Sequence, residues 1–416
     1  MPFRNFCKCF CAAVLIHCVS GFAEKFNLDI YASRFDSIPI AVVQFQPSSG
    51  AALTRNQPWQ IIADDLAFTG KFDVSRLHSA DSSAFASKNI GIFIYGDYAM
   101  HGDRVSMNCY LHDATTGNLI LGRKYTGKAH QLRAMSHRYV NELYEMILGE
   151  KGIFASKIVF VQDKGTQKNL YIMDFDGHNL KRITALNTVN LFPVFADSAT
   201  IVWTSYLRGK PDLYRGSIAS GKSSIYLYSR FVETSPDISS IEDMIAFASS
   251  RNGNLDVYTC GLDKSGLRRL TFNRGIDTSP CWSPNGYHIA FTSDRSGSPQ
   301  IYLMDRDGAN TRRLTFNGKY QDSPAWSPKG DKIAFASMQN GKFDIWTIET
   351  NGRNARQVTG ISGNNEYPCW SPDGSHIAFA RTAGGKSDIY WVREDGTDLQ
   401  KLTSTGNAKM PDWSSF

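Results

Sequence analysis

The stretch Ser279-Pro280-Cys281-Trp282-Ser283-Pro284-Asn285-Gly286 decides the fold, because the chain writes it again. It returns as Ser323-Pro324-Ala325-Trp326-Ser327-Pro328-Lys329-Gly330 and as Pro368-Cys369-Trp370-Ser371-Pro372-Asp373-Gly374. Trp282, Trp326, Trp370 and Trp413 stand 44, 44 and 43 residues apart. A second landmark, Ile-Val/Ala-aromatic, begins at Ile158, Ile201, Ile245, Ile289, Ile333 and Ile377. An aliphatic–aromatic pair follows each, from Leu170-Tyr171 to Ile389-Tyr390. Most units then close on Ile/Leu/Val-Thr, as at Leu270-Thr271 and Leu314-Thr315. A period of 40–45 residues holding four short β-prone runs is the signature of a β-propeller. The Ser-Pro-x-Gly step suits a hairpin, since proline presets the second turn position and glycine accepts the fourth.

Packing chemistry agrees. Blades stack face to face about 10 Å apart, so an inner strand is buried on both sides and need not alternate with polar residues. Ala246, Ala290, Ala334 and Ala378 each sit between Ile and Phe. A small residue there leaves room for an aromatic from the neighbouring blade, and Trp282, Trp326 and Trp370 are the candidates. The first unit begins at Lys157-Ile158 with no Trp strand before it, and the last fragment, residues 410–416, is a Trp strand alone. The two are expected to pair around Ile158–Val161 and close the ring, which also satisfies an open edge. Units two and three are degenerate: Asp197-Ser198-Ala199 and Ser239-Ser240-Ile241 replace the Ser-Pro-x-Gly step.

The remainder does not follow the repeat. Residues 1–23 read as a signal peptide: Arg4 and Lys8, then apolar Phe10 to Val19, then Gly21-Phe22-Ala23. No later segment is long and apolar enough to span a bilayer, so an exported, soluble chain is expected. Residues 24–150 are expected to form a small α/β domain and 151–416 the propeller, an α+β organisation overall. Strands are predicted at Ile38–Phe45, Phe72–Val74, Ile90–Tyr95, Val105–Leu111 and Leu119–Tyr125. Helical spacing runs from Pro58 to Phe68 with Gly70 as its stop. A second stripe joins Leu132, Met135, Tyr139, Leu143 and Met146.

Function classes narrow quickly. The formal charge is only +6, from 45 basic and 39 acidic side chains. The cations are dispersed, so nucleic acid is not an expected partner. Cys109, Cys260, Cys281 and Cys369 form no CxxC pair and read as small buried thiols. His101, His112, His130 and His137 are scattered, and His288 and His376 share one repeat position on two blades, so no metal or cofactor is expected. No Gly-x-Ser-x-Gly elbow is present, which argues against the rival reading, a propeller-bearing hydrolase. A small-ligand-binding propeller is the weaker alternative.

Binding residues are expected where variable loops ride on the rigid repeat. Positions just before each Pro-x-aromatic step enter the innermost strand and should ring one mouth of the channel. They are Phe192, Ser235, Thr278, Ser279, Gln321, Asp322, Ser323, Glu366, Tyr367, Lys409 and Met410. At the other end, Phe26, Leu28 and Ile30 alternate and would suit strand addition to a partner sheet.

The order of parts resembles the TolB family, the periplasmic component of the Tol–Pal cell-envelope system. The more specific wording is Ile38-Pro39-Ile40-Ala41-Val42-Val43-Gln44-Phe45, Ala63-Asp64-Asp65-Leu66-Ala67-Phe68-Thr69-Gly70-Lys71-Phe72 and Pro411-Asp412-Trp413. The resemblance implies a non-enzymatic, monomeric periplasmic scaffold. It implies a Pal-like peptidoglycan-associated lipoprotein bound over the propeller mouth. It also implies a TolA-like inner-membrane protein bound at the mature N-terminus, membranes being reached only through these partners. The expected role is support of outer-membrane integrity and cell division.

Overall fold

The computed structural model describes residues 37–49, 57–239 and 241–415. The expected signal peptide (1–23) and the segment holding Phe26, Leu28 and Ile30 lie outside them. A small α/β unit is followed by a six-bladed β-propeller closed by the C-terminal strand.

The α/β unit contains β1 (Ile38–Val43), β2 (Gln46–Ser49), α1 (Pro58–Thr69), β3 (Phe72–Leu77), α2 (Ser82–Ser87), β4 (Ile92–His101), β5 (Arg104–Asp113), β6 (Leu119–Lys128) and α3 (Leu132–Leu148). The sheet runs β3-β1-β4-β5-β6, with β1 parallel to both neighbours and β4-β5-β6 an antiparallel meander. Pro58 opens α1, where its missing N–H would be unsatisfied anyway. Gly70 ends it in the left-handed region at φ 66°, the conformation a helix C-terminus favours for glycine. Leu66 of α1 and Tyr139 and Leu143 of α3 share one core with Ile40, Val42 and Ile94 of the sheet. Three details differ from expectation, the first being the short strand β2, which pairs with β4. The short α2 was not foreseen; Asp81 caps it by accepting from the Ser83 amide at 2.9 Å. Met146 is exposed, because the 3.6-residue period carries the buried stripe of α3 onto Val140 and Tyr144 instead.

Each blade is a four-stranded antiparallel sheet. Counting from the ring closure, blade 1 joins Ala408–Trp413 to Lys157–Asp163, Lys168–Asp174 and Lys181–Arg182. Trp413 lies opposite Ile158 and Lys409 opposite Val161, so the two chain ends of the propeller form one sheet as expected. Blades 2 to 6 begin with the inner strands Asn190–Asp197, Glu233–Ser239, Asp277–Trp282, Tyr320–Trp326 and Asn364–Trp370.

The Ala-for-Trp exchange between blades is also realised. Trp282 packs on Ala246 and Val257 of the preceding blade, and Trp370 on Ala334 and Ile345. In the degenerate blades Phe195 and Ile238 take the tryptophan's place. The recurring terminal threonine has a definite task. Thr271, Thr315, Thr359, Thr403 and Thr184 each accept an amide of the third strand at 2.9–3.0 Å. Thr315, Thr359 and Thr403 donate onward to Gln300, Asp344 and Asp388 at 3.0 Å. A short outer strand is thereby fastened to its blade by a side chain rather than by a longer ladder.

Candidate partner-binding site at the channel mouth

Strands alternate in direction, so the turns after the first and third strands of every blade fall on one face. The loops after the second and fourth fall on the other. The α/β unit contacts the first face, at blades 1 and 6, through Asp176 and Arg393. The second face is the one that receives the chain into each innermost strand.

At that entrance six residues occupy the same repeat position: Phe192, Ser235, Ser279, Ser323, Tyr367 and Met410. Each precedes a proline, and each is left-handed, with φ of 49°, 51°, 49°, 54°, 57° and 52°. At each, the pairing with the second strand slips by a bulge. The cause is local. Proline has no N–H to give the ladder, and it bars the right-handed helical region to the residue before it. A bulge absorbs the mismatch and re-aims the side chain. A left-handed non-glycine residue costs about 1–2 kcal/mol, and here the strain recurs six times around one ring. The six residues line a central cavity of about 140 Å³ together with their prolines and the residues that follow.

The ring has two unlike halves. Tyr367, Met410 and Phe192, on consecutive blades 6, 1 and 2, are apolar, and the rings of Phe192 and Tyr367 meet edge to face at 6.5 Å. Ser235, Ser279 and Ser323 form the other half on blades 3 to 5.

Of the remaining candidates, Thr278, Asp322, Glu366 and Lys409 stand one residue earlier, half-buried on the inner strand. Asp322 accepts from the Thr292 hydroxyl of the preceding blade at 2.9 Å, tying two blades together. Burial pushes the carboxyls of Asp322 and Glu366 above their usual range, Lys409 opposing the effect at Glu366. Gln321 is a correction. It is buried and donates to the Asn317 carbonyl, away from the cavity. Strand alternation groups it with Glu233, Asp277 and Asn365, which are buried at the same step.

The sequence reading missed Asp237 and Asp412, which follow the ring prolines. Asp237 accepts the Trp282 amide of the next blade at 2.6 Å, and Asp412 accepts the Phe195 amide at 2.9 Å. Cys281 does the same through sulfur for Trp326 at 3.3 Å. Burial pushes both carboxyls up to about 7, against the pull of the donated amides. The available signal was Pro-Asp at 236–237 and 411–412, where other blades have Pro followed by Val, Cys or Ala.

Comparison with known proteins fits this architecture. A model of the TolB amino-terminal domain matches residues 26–120, and a model of the TolB β-propeller domain matches residues 144–416. The chain belongs to the TolB family. The Tol-Pal system protein TolB of Desulfosudis oleivorans is 35% identical over 272 residues, 60% of this chain and 61% of that protein. The TolB homolog of Chlorobium chlorochromatii is 35% identical over 202 residues, 45% of this chain and 46% of its own length. These matches therefore span about half to three-fifths of the relatives. The crystal structure of TolB from Acinetobacter baumannii superimposes with a TM-score of 0.77 at 24% identity, covering 91% of this chain and 97% of that one.

In this TolB-family chain the opposite face carries the interdomain joint. Phe68, from the end of α1, stacks on His376 at 4.1 Å and meets Trp391 and Phe175 edge-on at 4.8 and 5.2 Å. Arg393 of blade 6 donates to the carbonyls of Thr69, Ala67 and Phe68 at 3.1, 3.3 and 2.8 Å, capping a helix that belongs to the other unit. Burial drives His376 down to about 4, so it sits in the joint as a neutral aromatic. Beside it, His137 bonds Asp65 at 2.7 Å and approaches Asp176 at 3.5 Å, while Arg133 pairs with Asp176. Burial lifts Asp65 to about 6 despite His137; at Asp176, bonds from His178 and Arg133 outweigh burial and hold the carboxyl far below its usual range. Asp65, His137 and Asp176 each offer a ligand atom within 4.8 Å of the others. With both carboxylates already engaged and a guanidinium among them, the cluster is a charge network fastening α1 and α3 to blade 1.

Proposed function

We propose that this protein is a non-enzymatic periplasmic scaffold of the Tol–Pal type. Its propeller mouth binds a Pal-like peptidoglycan-associated lipoprotein, and its N-terminal segment, with Phe26, Leu28 and Ile30, engages a TolA-like inner-membrane protein. The role is to support outer-membrane integrity and cell division.

The observation that carries this reading is the left-handed ring on the face away from the α/β unit. Backbone strain held by a rigid frame is characteristic of sites that present side chains, and Tyr367, Phe192 and Met410 offer the apolar anchor that protein partners use. Family membership and the names of the matched relatives support the same assignment.

The test is binding of residues 24–416 to the soluble domain of the peptidoglycan-associated lipoprotein, with and without Glu366→Ala/Tyr367→Ala. The double substitution is expected to weaken binding at least tenfold with the melting temperature unchanged. Equal binding by the variant would remove the mouth from the site. Failure of the unaltered protein to bind would overturn the reading and favour a small ligand in the channel.

A further inference from the structure

Outside the ring, the open face is not uniform. Phe272 is 73% exposed and Phe316 70%. They hold the same position, directly after the fastening threonine, in the loops that leave blades 3 and 4. The equivalent residues elsewhere are Ala185, Gly360 and Ser404. Ile276 lies exposed in the same loop as Phe272, and Tyr206, Leu207 and Tyr228 are exposed on the adjoining loops of blade 2. Solvent-facing aromatics of this size are unusual on a surface that touches nothing.

Three of these rings are roofed by a cation: Arg269 lies 4.8 Å over Phe272, Arg313 4.9 Å over Phe316 and Arg208 5.0 Å over Tyr228. The guanidinium holds the ring in place. Charge on this crescent is mainly basic. Its acids Asp212, Glu233, Asp256 and Asp277 are fully buried and paired with Lys210, Arg251, Arg269 and Arg295, and the half-buried Asp294 accepts the Ile276 amide at 2.7 Å. Arg208, Arg230, Arg274 and Lys319 are exposed and stand in no ion pair among the described residues. What faces outward is therefore mainly aromatic and basic, the composition enriched at protein-binding hot spots.

We infer that the outer crescent of blades 2 to 4 is a second contact zone for the protein docked at the mouth. That partner carries an acidic, partly apolar edge beyond its central contact. The inference rests on the mouth being the docking face. The crescent flanks the serines of blades 3 and 4 and reaches the apolar half at blade 2, so the partner gains its apolar contact at the centre on blades 6, 1 and 2 and at the periphery on blades 2 to 4. A footprint this wide fits a folded domain rather than a peptide confined to the channel.

The experiment measures association and dissociation of the same lipoprotein domain with Phe272→Ser/Phe316→Ser, Arg274→Glu/Lys319→Glu and, as reference, Tyr367→Ala. All three alter exposed or half-exposed side chains, and unchanged melting confirms folding. The aromatic pair is expected to raise Kd at least tenfold through faster dissociation. The charge reversal is expected to slow association at low salt and to flatten its salt dependence. If Tyr367→Ala weakens binding while both crescent variants match the unaltered protein, the crescent inference fails and the mouth reading stands. If the crescent variants lose retention on isolated peptidoglycan yet bind the lipoprotein normally, the crescent serves a polysaccharide and the inference is overturned. If the unaltered protein does not bind the lipoprotein at all, the functional reading fails first and takes the crescent with it.

Discussion

The two faces of the propeller are built from one repeat and do opposite things. On the face that meets the α/β unit, exposed ends have been filled: Phe68 enters an aromatic box, Arg393 caps α1, and Asp65, His137, Arg133 and Asp176 form a buried network. On the other face six strained, left-handed residues ring the central cavity. The lesson is that a propeller divides labour by loop set. Turns after the first and third strands can be committed to structure while the other set stays available for recognition.

Removing residues 410–416 tests what both faces share. It deletes most of the inner strand of blade 1 and exposes the edge of Lys157–Asp163. Collapse of cooperative melting is expected, by scanning calorimetry, because Trp413 and the ladder to Ile158 are lost together. A truncated protein that melts as the full chain does would mean that the ring is not closed by this strand.

Phe68→Ala separates the faces. Deleting a buried aromatic costs about 3–5 kcal/mol, and here the loss falls on the joint alone. The expected calorimetric outcome is one transition splitting into two, with the mouth still competent in lipoprotein binding. A single unshifted transition would show that the joint does not couple the two units.

A pH-dependent effect concerns the acids under the ring. Asp237 and Asp412 are raised to about 7 in the folded protein and ionise near 4 when unfolded. Between those values the folded state holds more protons, so stability falls as pH rises from about 4 to about 7 and levels off above. Asp237→Asn/Asp412→Asn keeps an acceptor for the Trp282 and Phe195 amides without the charge. It should leave the melting temperature below pH 4 nearly unchanged and raise it at pH 8. A variant whose melting falls with pH as steeply as the parent would place the dependence elsewhere.

Much of this was legible in sequence. Blade number, ring closure and the packing of Trp282 on Ala246 follow from a period of about 44 residues and from the volumes of indole and methyl groups. The ring residues were legible too, because X-Pro at a fixed step of an inner strand forces a local break wherever it occurs. Gln321 was misread because proximity in sequence does not say which side of a pleated strand a residue takes once a bulge shifts the alternation. The aspartates were missed because Pro-Asp recurs at this step in only two of the six blades, and nothing along the chain shows that its carboxylate accepts the next blade's amide. The joint was invisible for the same reason: Phe68 and His376 are more than three hundred residues apart and belong to no common period.

The sequence by itself thus determined the blades, since repetition imposes the same local hydrogen bonding and the same inter-blade fit six times over. Only the tertiary structure decided which face is closed and which is open. That choice depends on one contact between two differently built units, Phe68 in its aromatic box under Arg393, and desolvation of such a pair is set by the docked geometry rather than by either segment alone.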